Sequence, residues 1–294
     1  MKYAWITQHR DSFPVSAMCD ALDVSPSGYY DSLERTPSDR AKRHERIRRA
    51  VEQVHAESHG IYGGRKVAQT LQKRADMESA CRNTVTAAMR EMGLKSRVCK
   101  RFTPTTTQSD PTKQPAENKL DRDFTADAPN RKWVTDITYL ATAAGWVYLA
   151  AVVDLFSRKV VGWSIGESLE TTLVSAALRD AIEKRRPDGK RLLHHSDRGC
   201  QYTSDAYQKT LQALGIDCSM SRRGCCYDNA AMERFFWSLK HEWTNHERFA
   251  NLEEARLSVF RYIETFYNPL RIHETLNYLS PDEYEAENAP AVAA

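Results

Sequence analysis

The sequence predicts an α/β protein, a mixed five-stranded sheet with flanking helices behind an all-α region. Three observations lead there. Helical periodicity with turn punctuation fills the chain before residue 102, β-branched and aromatic runs fill it after residue 130, and a stretch with neither period lies between. At roughly 150 residues per domain, 294 residues imply about two domains. An apolar share of 41% excludes wholesale disorder. Apolar runs such as Val147–Val153 fall far short of the ~20 residues of a membrane span, so no membrane partner is expected. The start, MKYAWITQHRD, has no secretory apolar region, and the seven cysteines lack a disulfide spacing, which places the chain in a reducing cytoplasm.

Charge is unevenly spread. Residues 1–120 hold 21 Lys and Arg against 14 Asp and Glu, a net of +7, while residues 121–294 hold 21 against 25, a net of −4, together the overall +3. Residues 40–101 alone carry 16 basic against 6 acidic side chains, or +10, the footprint of a surface that binds a phosphate backbone. Helices are expected over Pro14–Leu22, over Pro26–Leu33 behind the N-cap Ser25, and over Arg40–Glu57. The first two outline a helix-turn-helix. A second pair follows Gly63-Gly64, over Lys66–Lys73 and Asn83–Met92, closed by Gly93. Residues 1–101 therefore read as a DNA-binding region of two helix-turn-helix-like units and 102–130, rich in Thr, Pro, Asp and Asn, as linker.

Beyond the linker, Arg131–Leu140, Gly145–Phe156 and Lys159–Ile165 read as three antiparallel strands. A helix over Thr171–Arg185, a strand over Arg191–Ser196, a helix over Ser204–Leu214 and a strand over Ile216–Ser221 follow. Helices over Asn229–Trp243 and Leu252–Tyr267 complete a unit over 131–285, leaving 286–294 as tail. The order β-β-β-α-β-α-β matches a ribonuclease-H-like core.

Three acidic residues stand at element-specific places: Asp136 within the first strand, Asp197 at the end of the fourth, and Glu233 in the first turns of the helix after the fifth. A carboxylate interrupting an apolar strand needs a partner to offset its desolvation, either a cation, a hydrogen-bonding neighbour or a metal. Thirty-five residues separate Asp197 from Glu233, and Lys240 follows Glu233 by seven positions. The words WVTDITYL, VVDLFSRKVVGW, HHSDRGCQYTS, GCCYDNAAMERFFWSLKHE and YNPLRIHETLNYLSPDEY, with that spacing, resemble the OrfB-type catalytic protein of the bacterial insertion-sequence family three transposases. These are DDE recombinases related to retroviral integrases.

The resemblance implies a DNA transposase whose Asp136, Asp197 and Glu233 hold two Mg²⁺ ions for strand cleavage and strand transfer, with Mn²⁺ able to substitute. Without metal, three converging carboxylates repel one another. Lys240 shares the helix face of Glu233 at i+7 and is expected on phosphate, as are Arg198, Arg222, Arg223 and, in the basic region, Arg65 and Lys66. Asn229, behind the N-cap candidate Asp228, either orients the metal site or caps the helix. The partners implied are the inverted-repeat ends of a mobile element, target DNA, an upstream-frame fusion product and further copies of the chain on DNA, in a nucleoid-associated setting. A non-catalytic DNA-binding regulator and a simple nuclease of the same fold are the alternatives. His55 and His59 show an H-x₃-H spacing, but no paired CxxC accompanies it, and zinc is rejected. His194 and His195 read as packing, Asp154 as a turn former, and the vicinal Cys225 and Cys226 as loop residues.

Overall fold

The computed structural model describes residues 2–34, 36, 38–74, 77, 80–98, 116–188, 191–222 and 225–288, without the side chain of Cys226. Its centre is a five-stranded sheet of β1 (Lys132–Thr142), β2 (Gly145–Asp154), β3 (Val160–Gly166), β4 (Leu193–Ser196) and β5 (Asp217–Met220), in the order β3-β2-β1-β4-β5. The first three strands are antiparallel; β4 and β5 run parallel to β1. This is the mixed, ribonuclease-H-like sheet that the strand order predicts. Period-two alternation sorts β1 and β2 onto two faces. Trp133, Ala150 and Val152 face α7 (Thr171–Arg185) and α8 (Asp205–Ala213). Val134, Leu140, Val147, Leu149, Ala151 and Val153 face α9 (Ala230–Glu242) and α10 (Leu252–Phe260). Because α7 crosses β3 at Gly162, a Cβ there would stand 2.4 Å from the Ala177 carbonyl oxygen.

The helical region comprises α1 (Lys2–His9), α2 (Val15–Ala21), α3 (Pro26–Glu34), α4 (Asp39–Glu57), α5 (Gly64–Gln72) and α6 (Arg82–Glu91). The two helical units differ in how they are held. Helices α1–α3 close on a small core of their own, Ile6, Met18, Cys19 and Tyr29, whereas α4–α6 share one continuous core with the sheet face that α9 and α10 cover. The Tyr62 hydroxyl accepts from the Ile272 N–H and donates to the Leu270 carbonyl, both at 2.9 Å. His59 packs edge-on against Trp243 and Phe266, and the ring of His55 meets the Lys95 carbonyl.

Several elements depart from the sequence reading. Helix α1 was not anticipated, nor was α11 (Pro281–Asn288), which begins inside the expected core and runs three residues into the expected tail. The helix expected over 252–267 changes hand-over-hand into a π-helical segment, Arg261–Tyr267. Residues 116–130, read as linker, lie bound along β5: the Met220 N–H donates to the Glu117 carbonyl, and the Lys119 and Leu120 N–H groups donate to Ser219 Oγ. Residues 102–115 lie outside the described residues.

Candidate active site

The register of β1 against β4 builds the site. The two strands pair only over Lys132–Val134, with Val134 opposite His195. Two residues further on, each parallel strand delivers an aspartate, Asp136 and Asp197, to the same level of the sheet, and there β4 ends. Past this point β1 has lost its neighbour, and its edge-facing polar groups need other partners. The Thr135 carbonyl accepts from Asn229 Nδ2 at 3.1 Å, and the Ile137 N–H donates to the carboxylate of Asp136 at 2.8 Å.

A cleft of about 290 Å³ opens along that unpaired edge. Its lining includes Asp136, Asp197 and Gly199 together with the apolar Ile137, Tyr139, Tyr148 and Leu169. The Gly199 N–H donates to Asp197 Oδ1 at 3.0 Å, and a Cβ on Gly199 would come within 3.1 Å of that oxygen, so the loop closes tightly around the carboxylate. Tyr202, fully buried behind the pair, donates to Thr135 Oγ1, whose own proton goes to the Ala151 carbonyl. Burial first, then the charges of Asp136, Tyr207 and Asp197, push the Tyr202 phenol well above its ordinary pKa. Burial and then the Asp197 charge push the Asp136 carboxyl well above the ordinary carboxylate range; Glu233 adds to this, while the Ile137 N–H and Lys240 oppose it.

Glu233 lies on the first turn of α9, exposed, and does not line the cleft. Among the described residues no three His, Cys, Asp or Glu side chains stand close enough to hold one ion as placed. The donor set nevertheless suits a hard divalent cation: all oxygen, two carboxylates already side by side, and a surplus of negative charge that disfavours their joint ionisation. The buried Oδ1 of Asn229, immediately behind Thr135, also has no hydrogen-bond partner among the described residues.

The remaining predicted residues are distributed as follows. Lys240 Nζ sits 4.4 Å from the centre of the Tyr139 ring, at the cleft's edge, with its pKa lowered by burial and partly restored by Asp136. Arg198 Nε donates to the Ser221 carbonyl at 2.7 Å. Arg222 is engaged within the protein: its Nε and Nη2 donate to Asp228 at 2.9 and 2.8 Å. Arg122 and Asn118 also donate to Asp228, so Asp228 is the hub of a cationic cluster rather than an N-cap. Those donors hold its carboxyl far below the usual range. Asn229 does not cap α9 with its side chain either; it ties the helix start to β1. Arg223 lies outside the described residues.

Arg65 is exposed on α5, whereas Lys66 is half-buried. Arg65 pairs with Glu274 at 3.2 Å. The Lys66 ammonium rests over the Tyr62 ring at the junction with the C-terminal segment, its pKa pulled to about 7 by burial and next by Arg271. His194 and His195 are buried, His194 bonded to the Tyr207 hydroxyl and His195 to Ser219 and Ser221. Asp154 is buried at the end of β2, where it accepts from the N–H groups of Asn130 and Phe156 and from the Trp133 indole. Cys225 Sγ accepts from Arg122.

Sequence comparison adds the family. Residues 126–226 and 214–281 match integrase core domains, and residues 42–102 match an HTH-like domain. The chain is 39% identical to the transposase InsF for insertion sequence IS3A of Escherichia coli strain K12, over 98% of this chain and 99% of that protein. The chain belongs to the IS3 family of insertion-sequence transposases. The transposase is also 38% identical to the insertion element IS600 uncharacterized 31 kDa protein of Shigella sonnei, over 90% of this chain and 96% of that one. Among solved structures, a chain of the simian T-cell lymphotropic virus intasome in complex with PP2A regulatory subunit B56 gamma is similar at 16% identity and a TM-score of 0.47, covering 83% of the transposase and 76% of that chain. Among the described residues, no helix of the transposase is long and apolar enough to cross a membrane.

Proposed function

We propose that Asp136, Asp197 and Glu233 are the catalytic carboxylates of this transposase, and that they cut and join DNA strands with two bound Mg²⁺ ions, for which Mn²⁺ substitutes. The observation that supports this reading is the pairing of two aspartates where β4 stops and β1 runs on, at the mouth of a cleft. Asp136 and Asp197 would hold the metal, with Glu233, whose charge already acts on Asp136 from α9, completing the set. A divalent ion held by these carboxylates would supply Lewis-acid activation of the attacking water and charge neutralisation at the phosphoryl oxygens. The protein's own contribution is positional. Asn229 and Tyr202 fix β1 at Thr135, the Gly199 N–H orients the Asp197 carboxylate, and Lys240 places a positive charge beside the cleft for a DNA phosphate.

In the first reaction water attacks the phosphorus at the element end and the 3′ oxygen leaves, taking a proton. In the second that 3′ hydroxyl attacks a target phosphodiester, whose own 3′ oxygen departs, so one phosphodiester replaces another without ATP. The basic helices carry end recognition: Arg40, Arg43 and Thr84 line a groove between α4 and α6. The protein acts in the cytoplasm on nucleoid DNA, as a multimer bridging two ends and joined to the product of an upstream frame.

The test compares the wild type with Asp197→Asn on labelled element-end DNA in Mg²⁺. Joined products lost in the variant while the gel shift persists uphold the proposal. Cleavage without joining identifies a nuclease, and shifts alone in both proteins identify a regulator.

A further inference from the structure

The cleft lining holds two unlike sets of side chains. The carboxylates are accounted for by the reaction; the apolar set, Ile137, Tyr139, Tyr148 and Leu169, is not. Leu169 leaves 44% of its surface exposed, and beyond the cleft Trp146 leaves 56% exposed while meeting the Tyr139 ring edge-on at 4.9 Å. Tyr139, Tyr148 and Trp146 share one sheet face by register, since Tyr139 lies opposite Tyr148 and Ala141 opposite Trp146. An aromatic face turned partly toward solvent directly beside paired carboxylates is costly to leave unfilled, and Lys240 over Tyr139 is the one cationic contact to it among the described residues' ring contacts.

The dimensions select the occupant. A space of about 290 Å³ lies at the lower limit of the ~300–1,000 Å³ of small-molecule sites. That is the scale of one flat ring with its sugar. A phosphodiester held at Asp136 and Asp197 presents its neighbouring nucleoside to the apolar set. The ammonium of Lys240, over Tyr139, stands ready for the adjoining phosphate. Flat apolar rings beside a phosphate-binding charge are the ingredients of single-stranded nucleic-acid recognition.

We propose that the Ile137–Tyr139–Tyr148–Leu169 wall is a stacking pocket for a single unpaired nucleobase next to the scissile phosphate, so that the transposase acts on DNA whose terminal pair has been opened. The proposal rests on the assignment of Asp136 and Asp197 as the phosphate-binding carboxylates. Extruding the base is easier at a frayed end than within a duplex, which restricts reaction to element termini.

The test is an equilibrium titration in Ca²⁺, without turnover, of a fluorescent duplex carrying the terminal repeat that borders the reading frame. Each nucleotide flanking the terminal scissile bond is either intact or abasic. Tyr148→Leu is expected to weaken binding about tenfold on intact DNA, the scale of one lost base–aromatic stack, and not at all on the abasic probe at one of the two positions. Tyr148→Phe should bind like the wild type. Leu169→Ala, on the wall outside the sheet, should repeat the Tyr148→Leu pattern and covers the case in which that variant fails to fold. Equal loss on intact and abasic DNA, or no loss on either, overturns the proposal. A parallel joining assay in Mg²⁺ separates the two claims: base-dependent binding without wild-type joining leaves the pocket and removes the triad, whereas joining without base dependence does the reverse.

Discussion

Removing the Asp136 charge should make the metal-free protein more stable while destroying its activity. Parallel neighbours in a sheet lie about 4.8 Å apart, and the β1–β4 register brings Asp136 beside Asp197. Two unit charges at about 5 Å with an effective dielectric constant near 20 repel by about 3 kcal/mol. Lys240 and water at the open edge offset part of this, leaving about 1–2 kcal/mol. Asp136→Asn keeps an oxygen for the Ile137 N–H, so the hydrogen bond survives while the repulsion goes. At ~2–4 °C per kcal/mol, its Tm in EDTA at pH 8 should lie about 2–8 °C above the wild type. Magnesium should reverse the ranking, because saturation at a hundred times Kd stabilises the wild type by roughly 2.7 kcal/mol and leaves the variant behind. Differential scanning fluorimetry across a Mg²⁺ series reads both effects. A variant with lower or unchanged Tm in EDTA, or one that keeps the full Mg²⁺ response, would refute the charge-pair reasoning.

Two further outcomes follow from contacts away from the site. Gly162→Ala forces a methyl group into the Ala177 carbonyl and the Ala181 backbone nitrogen, at 2.4 and 2.5 Å; the unfolding free energy should drop by about 1–3 kcal/mol in a urea titration, and an unchanged midpoint would show that α7 is not seated as described. Lys66 has a folded pKa near 7 against about 10.4 unfolded, so between those values the unfolded chain binds the extra proton and stability rises with pH, by at most about 1.4 kcal/mol per unit. Lys66→Met should abolish that rise between pH 7 and 9 without altering the affinity for element ends; a weakened gel shift would restore Lys66 to the phosphate contacts.

Local pattern carried most of the architecture. Alternating runs such as RKWVTDITYL and helix signals such as Ser25 before Pro26 located the strands and helices to within a few residues, because those signals act over one or two turns. What escaped depends on partners far along the chain. Helix α11 has little amphipathic signature; Glu285 on it is tied to Arg185 a hundred residues away. Asp228 has the sequence context of a helix cap, yet the converging donors of Arg122, Asn118 and Arg222 compete successfully for its oxygens. The basic count before residue 102 treats Arg65 and Lys66 alike, but composition does not distinguish an exposed side chain such as Arg65 from one half-buried over Tyr62 such as Lys66. Asp136 stands out in the sequence because a carboxylate in an apolar strand is costly, and Asp197 because it follows the end of a short strand, 35 residues before Glu233. The roles of Gly199, Tyr202 and Thr135 depend on the β1–β4 split, to which the glycine two residues after Asp197 is the one local clue.

The central claim is tested most directly by anomalous scattering from Mn²⁺ in crystals of the transposase with element-end DNA. Two peaks about 3.5–4 Å apart, ligated by Asp136, Asp197 and a drawn-in Glu233, are predicted. Manganese bound elsewhere, or Glu233 left outside the coordination sphere with substrate in place, would contradict the account.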